Sequence, residues 1–473
     1  MTINVTTTDY LLPTGQTLTS VDLPAINAQV SEDSFATVTI AGRVAVTASP
    51  QTLPPGQVST DLGGFYTNLT PSFYGGKVVI NAGGVLDVDV TGSRHPASGI
   101  ADLAGQQVLN FGQVRVVADL YAVGILVATQ SSPGGPSQIE NIGTVEVRSN
   151  QSNAIGILLM NGAGGGNSGV VHAWGATRAV GLQLQQISSF TNSGEVVAHD
   201  TSGGVNSVGA FVSFLSAQTV SFTNSGHIEG VTAITINSNL FSAGAVANIQ
   251  NSGQLIGNVN ISGAAAILTN TGLISGAISL TANNDVYDGR AGTETGLVSG
   301  LDGTDTMIGG AGFDNFQGNQ GNDSLSGGAG DDIVVGGKDN DVQLGGGGVD
   351  VVWGNLGNDT LDGGDGNDQV RGGQGDDSVS GGAGDDFVSG DRGNDTISGG
   401  TGADLFHGSQ DAGLDRVLDF SVAQGDRVFL DPGTTFTVSQ VGADTVIDMG
   451  SGNQMILAGV QMLTLPAGWI FGA

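Results

Sequence analysis

The sequence predicts an all-β chain, a parallel β-helix solenoid followed by a tighter parallel β-roll and closed by a small C-terminal β cap. Three observations carry this prediction. A nine-residue period runs from Gly300 to His407, a looser period of 19–32 residues runs from about 75 to 280, and neither segment shows helical spacing. With 82 glycines in 473 residues, the composition also favours stacked repeats over ordinary globular domains.

The tight array carries the sharpest signal. From Gly300 the chain reads as twelve consecutive nonapeptides, such as Gly309-Gly310-Ala311-Gly312-Phe313-Asp314-Asn315-Phe316-Gln317. The sixth position is always aspartate: Asp305, Asp314, Asp323, Asp332, Asp341, Asp350, Asp359, Asp368, Asp377, Asp386, Asp395 and Asp404. The eighth is apolar in eleven of the twelve, from Met307 and Phe316 to Ile397 and Phe406, with Gln343 the exception. Glycines in the first six residues permit turns with positive φ. The last three residues make a short strand whose middle side chain points to one face. Two nonapeptides then form one flattened coil, with the apolar residues meeting between two thin sheets.

In such a coil, aspartates 18 residues apart stack along one edge at roughly the ~4.8 Å strand spacing. Carboxylates that close repel one another unless a cation lies between them. Calcium suits the place, because it takes six to eight hard oxygens and the turns offer carbonyls beside the carboxylates. The array resembles the RTX (repeat-in-toxin) proteins and their GGxGxDxUx motif. That resemblance implies a calcium-binding β-roll with about ten Ca²⁺ ions, the twelve aspartates as side-chain ligands and glycine-turn carbonyls as the others. It also implies that the array is disordered without calcium.

Departures from the motif mark weak points. In repeat 336–344, Asp339 replaces the fourth-position glycine and Gln343 the apolar residue, which predicts a weaker coil with a distorted ion site. Upstream, Asn284-Asp285-Val286-Tyr287-Asp288-Gly289 reads as a repeat end followed by a degenerate repeat over 289–297. This stretch is expected to cap the roll, with Asp285 and Asp288 as secondary candidates for ligands.

After His407 the period stops, and alternating segments at 415–420, 425–430, 444–449 and 454–460 read as strands between Gly/Pro turns. They are expected to cover the open end of the roll. The tail is similar to the region that follows the repeats in serralysin-type proteins, which implies an uncleaved signal for the type I secretion machinery. The N-terminus, Met1-Thr2-Ile3-Asn4-Val5, has neither a basic nor an apolar leader segment. The expected location is therefore outside a bacterial cell or at its surface, reached by that route.

The looser repeat is marked by Asn-x-Gly at Asn81, Asn110, Asn141, Asn167, Asn192, Asn224, Asn251 and Asn270. A second mark follows several of these by about a dozen residues, as in Ala122-Val123-Gly124-Ile125 and Ala179-Val180-Gly181-Leu182. Gly/Asn corners at this spacing suit a parallel β-helix, in which stacked asparagines hydrogen-bond from coil to coil. Residues 162–168 and 202–207 read as loops bulging from a corner. Motifs such as Thr191-Asn192-Ser193-Gly194 resemble the β-helical passenger regions of bacterial adhesins. Residues 1–74 hold strand-like pieces without a clean repeat. The expected organisation is an N-terminal cap over 1–74, the β-helix over 75–280, the roll over 281–410, and the cap with its export signal over 411–473.

Charge narrows the functions. The net charge is −32, and residues 283–407 alone hold 23 Asp/Glu against 4 Lys/Arg. Such a field repels nucleic acid and anionic membrane surfaces. No apolar run approaches the ~20 residues of a membrane span, and the absence of cysteine excludes disulfides and thiolate metal sites. None of the five histidines sits in His-Glu-x-x-His, so a zinc protease is not supported. The best cluster for glycan chemistry is Asp87 and Asp89 with Arg94 and His95. The reading is a non-enzymatic extracellular structural or adhesive protein, partnered by calcium and by surface or matrix glycans or by itself. The alternative is a secreted polysaccharide lyase or epimerase carrying an RTX module, which a groove of stacked acids beside an Arg or His would favour.

Overall fold

The computed structural model describes the strands between Tyr10 and Ile80, Ala82 and, from Val85 on, all residues except 91–96, 103–106, 129–137, 161–163, 202–205, 215–218, 239–243 and 473. Asn81, Arg94 and His95 lie outside the described residues. Among those described there is no α-helix, only strands and one 3₁₀ turn, Met462–Thr464. Among the described residues no helix is long and apolar enough to cross a membrane. The chain divides into two units, Met1–Ala264 and Ala265–Ala473.

In the first unit successive coils stack in parallel, three strands to a turn. Gln138–Asn141, Thr144–Ser149 and Asn153–Met160 pair in register with Gly164–Asn167, Val170–Gly175 and Arg178–Gln185. The strands before residue 75 pair in the same parallel way, Arg43–Thr47 with Val85–Val90 for example. The asparagine mark of the sequence is the corner of each coil. Asn110, Asn141, Asn167, Asn192 and Asn224 each donate from Nδ2 to Oδ1 of the next asparagine, reaching Asn251, at 2.6–2.8 Å. All six are buried, so each bond also satisfies a polar group that water cannot reach.

The second mark is explained by clearance. A β-carbon on Gly124 would meet Val145 Cγ1 at 2.4 Å and the Gly156 carbonyl at 2.5 Å, and Gly156 and Gly181 are hemmed in alike. Strands approach so closely here that only hydrogen fits. One expectation is corrected: residues 164–167 are not a loop but a strand, Gly164–Asn167. Its glycines seat against Gln138–Asn141, where a side chain on Gly165 would strike the Ile139 carbonyl at 2.1 Å.

In the nonapeptide array of the second unit each coil is two nonapeptides, and strands pair with those eighteen residues on, as Asn315–Gln320 with Ile333–Lys338 and Ser324–Ala329 with Val342–Gly347. The eleven apolar eighth-position side chains are 0–2 % exposed. Each contributes roughly 1.5–3 kcal/mol of burial. Gln343 is buried in the same row, its Nε2 donating to the Trp353 carbonyl at 2.7 Å. The coil at 336–344 keeps full register on both sides, because Gln343 finds that carbonyl and Asp339 accepts φ +73°. The cost of the latter is about 1–2 kcal/mol.

The C-terminal segments close the roll. Asn453–Leu457 pairs in parallel with Leu414–Val417 and antiparallel with Asp444–Gly450, which pairs with Thr437–Val441. Ile470–Phe471 covers the other sheet beside Arg427–Leu430. Val417, Phe420, Val428, Ile447 and Met455 extend the apolar core under this cap.

Candidate metal centre

The sixth-position aspartates stand in two rows, one on each edge of the roll. All twelve are 0–3 % exposed. Within a row each backbone N–H donates to Oδ1 of the aspartate one coil downstream: Asp305 to Asp323, Asp323 to Asp341, Asp341 to Asp359, Asp359 to Asp377 and Asp377 to Asp395, all at 2.8 Å. The other row repeats the pattern from Asp314 through Asp332, Asp350, Asp368 and Asp386 to Asp404. One carboxylate oxygen is thereby fixed by the main chain.

The other oxygen is treated differently. In eleven of the twelve, Oδ2 is buried with no hydrogen-bond partner, Asp314 being the exception. Beside Oδ2 lie the first-position glycine and, in most repeats, a carbonyl of the next coil. A β-carbon on Gly300 would fall 2.2 Å from Asp305 Oδ2 and 2.9 Å from the Gly318 carbonyl oxygen, and one on Gly354 would fall 2.3 Å from Asp359 Oδ2 and 2.4 Å from the Gly372 carbonyl. None of these first-position glycines takes a positive φ. Their role is space, and in every repeat that space is faced by the aspartate Oδ2.

Burial in this setting pushes the carboxyls up from the ordinary 3.8: to about 7 for Asp305, about 8 for Asp341, about 8 for Asp377 and about 7 for Asp386. Desolvation is the main cause, and the neighbouring carboxylates in the row add to it. An unpaired buried oxygen costs about 1–3 kcal/mol or more if charged, so eleven of them call for protonation or a counter-charge. The donor set fits a hard divalent cation. Among the described residues no three carboxylates or imidazoles converge on one point, so a cation held here takes its remaining oxygens from the turn carbonyls, as calcium does.

The row ends are finished differently from their interiors. Asp285, upstream of Asp305, accepts from Ala266 N–H and Thr281 N–H at 2.6 Å and from Thr281 Oγ1 at 2.9 Å. Asp314 Oδ2 accepts from Gly310 N–H at 2.9 Å. Asp426, which receives Asp404 N–H, has its Oδ2 bound by Ser421 N–H at 2.8 Å. Main-chain donors thus saturate three ends, while interior members are left open. At the fourth end Asp415 accepts from Asp395 N–H at 3.3 Å and keeps an open, buried Oδ2. Asp288 is drawn off by Arg290, 2.7 Å away.

Sequence reasoning missed Asp415 and Asp426, because the nine-residue spacing is lost after His407. It also missed a second ladder. Fifth-position Asn and Asp side chains accept the main-chain N–H of the residue one coil downstream, as Asn340 does from Asn358 and Asp385 from Ala403. The polarity is opposite to that of the sixth-position rows. The signal was present as Asn or Asp at the fifth position, in Asn322, Asp331, Asn340, Asn358, Asn367, Asp376, Asp385 and Asn394.

Fold and site together define a nonapeptide-repeat β-roll organised around buried carboxylate rows. The repeat region is of the RTX type: residues 297–316, 308–343, 344–379 and 380–414 match the RTX calcium-binding nonapeptide repeat, in four copies. No curated protein matches the chain.

The first unit carries a groove of its own. Asp87, Arg115 and Glu146 stand side by side on three successive coils and line a cavity of about 380 Å³ with Val85, Gln113 and Thr144. Arg115 Nη1 binds Asp87 Oδ1 at 2.8 Å. His172, in register with Glu146, pairs with Glu195 at 2.9 Å.

Proposed function

We infer that this is a secreted calcium-binding protein with a non-enzymatic structural or adhesive role, whose roll folds on Ca²⁺ after type I export. The carrying observation is the contrast between row ends and row interiors: backbone donors close three of the four ends, and the interior Oδ2 atoms are buried without a hydrogen-bond partner. Asp305, Asp323, Asp341, Asp359, Asp377, Asp395 and Asp415 would hold the ions on one edge. Asp332, Asp350, Asp368, Asp386 and Asp404 would hold them on the other. One ion between each consecutive pair makes about ten. Bound calcium supplies the positive charge that lets these carboxyls ionise while buried. Outside the cell calcium is abundant and the roll folds; in a calcium-poor cytosol the carboxylates repel and the chain stays open for export. Equilibrium dialysis of the full chain against Ca²⁺ tests this, with about ten ions expected per chain and fewer than three contradicting it.

A second reading, a glycan-active enzyme, draws on the groove of Asp87, Arg115 and Glu146 in the first unit. Two acids flanking a guanidinium are suitable for lyase or epimerase chemistry on a sugar. A reducing-end and unsaturated-product assay on alginate and pectate separates the readings, and turnover abolished by Glu146→Gln would favour the enzyme.

A further inference from the structure

We propose that the outer face of the roll carries a binding notch for a neutral saccharide unit, formed by Trp353, Asn355, Gln369, Arg371 and Asp391.

The two sheets of the roll are built from the same repeat, yet their outward faces differ. From residue 360 one sheet presents Thr360, Asp362, Ser378, Ser380, Thr396 and Ser398. The coils opposite present Trp353, Gln369, Arg371, Phe387 and His407. Small polar residues at these positions are enough to build the coils from 360 on, so the large side chains opposite are free to serve something besides folding.

They also leave a concavity. Asn355, Gly373 and Asp391 are in register on three successive coils. The middle residue has no side chain, so a gap opens between the amide and the carboxylate. The gap has a volume of about 380 Å³, floored by Gly372 and Gly373 and walled by Trp353, Gln369 and Arg371. Asn355 and Asp391 occupy a position that is glycine in most repeats, and both take left-handed φ, +80° and +65°. Each costs about 1–2 kcal/mol relative to glycine, and each places a polar side chain at one end of the notch.

The side chains set the ligand class. Trp353, 39 % exposed, offers a flat apolar platform for the C–H face of a pyranose ring. Asn355, Gln369, Asp391 and the Arg371 guanidinium offer planar donors and acceptors suited to ring hydroxyls. Arg371 is held in place, stacked 5.0 Å over the Phe387 ring and 3.9 Å from Asp391, and its Nε–H is buried without a partner. The surrounding array carries 23 acidic residues against 4 basic ones, which disfavours an anionic sugar and favours a neutral one.

The test uses the full chain in millimolar Ca²⁺, with hexamers of glucose, mannose and N-acetylglucosamine as probes and a hexauronate as the charged counterpart. Binding is followed by calorimetry and tryptophan fluorescence. The expected result is binding of at least one neutral hexamer, weakened at least tenfold by Trp353→Ala and by Asn355→Gly, and unchanged by Trp174→Ala. Asn355→Gly restores the common residue and relieves strain, so it decides the matter even where Trp353→Ala perturbs folding. No binding of any neutral hexamer, binding of the hexauronate alone, or binding indifferent to Asn355→Gly would overturn the proposal. The proposal rests on the calcium-folded roll, and circular dichroism of the same samples separates a failure to fold from a failure to bind.

Discussion

The backbone N–H of Asp341 donates to Oδ1 of Asp359, 2.8 Å away and eighteen residues downstream, while Oδ2 of Asp359 is buried without any partner. One carboxylate therefore has two separable roles. Its first oxygen joins coil to coil, and its second is the one proposed to meet a cation.

Replacing Asp359 by Asn separates those roles. The amide keeps an oxygen for Asp341 N–H but puts a donor where the open oxygen stood. Asp359→Asn is expected to make the metal-free roll easier to fold at neutral pH, because burial disfavours the ionised carboxyl that it removes. It should also raise the Ca²⁺ midpoint roughly tenfold, about 1.4 kcal/mol. Calcium titrations followed by circular dichroism read both effects, and a change of the same sign in both contradicts the two-oxygen account.

Gly354→Ala probes the cradle without touching a charge. The added β-carbon would lie 2.3 Å from Asp359 Oδ2 and 2.4 Å from the Gly372 carbonyl. Two oxygens must shift, so calcium affinity is expected to fall at least as far as in Asp359→Asn. Gly347→Ala, whose β-carbon meets nothing within 4 Å, is the control and should bind calcium normally.

Acid should partly replace calcium. The folded-state carboxyls lie above the ordinary 3.8, at about 6 for Asp323 and Asp404, about 7 for Asp332 and about 8 for Asp377. The folded state therefore holds more protons than the unfolded one across this window. For groups raised in this direction, stability is fully present below the unfolded value and is lost as pH rises through the folded values. In chelator the roll should gain β-structure on going from pH 7.5 to pH 5, and calcium binding at pH 7 should release protons. Thermal melts across pH in EGTA check this; a metal-free roll that strengthens as pH rises from 5 to 8 would contradict it.

In the first unit the asparagine corner is the vulnerable element. Asn192→Ala removes the acceptor of Asn167 Nδ2 and the donor to Asn224 Oδ1. Each buried group left unpaired costs about 1–3 kcal/mol, so the melting temperature of this unit should fall by several degrees. Calcium affinity of the roll should stay unchanged.

Much of this was legible in the sequence, for physical reasons. A nine-residue period with an invariant Asp and an apolar eighth residue can satisfy both only as a flattened coil, and Phe316 and Val388 are buried where that argument puts them. The asparagine ladder was legible because Asn tolerates a corner and bonds to its own kind. What stayed hidden depended on non-local geometry. Asp415 and Asp426 join the rows across spacings of 20 and 22 residues, which no fixed period reveals. Gly164–Asn167 reads as loop by composition, yet its neighbours supply the ladder that makes it a strand. Gln343 breaks the pattern but not the coil, because a main-chain carbonyl lies within its reach.

The central claim is that calcium, held by the open oxygens of the aspartate rows, folds the roll. Hydrogen exchange of the full chain at pH 7.5 tests it most directly, since amides such as those of Asp341, Asp359 and Asp377 donate within the rows themselves. In millimolar Ca²⁺ these amides should exchange slowly, and in EGTA they should exchange at close to the rate of an unfolded chain while the corners of the first unit stay protected. Slow exchange of the same amides in EGTA would contradict the account.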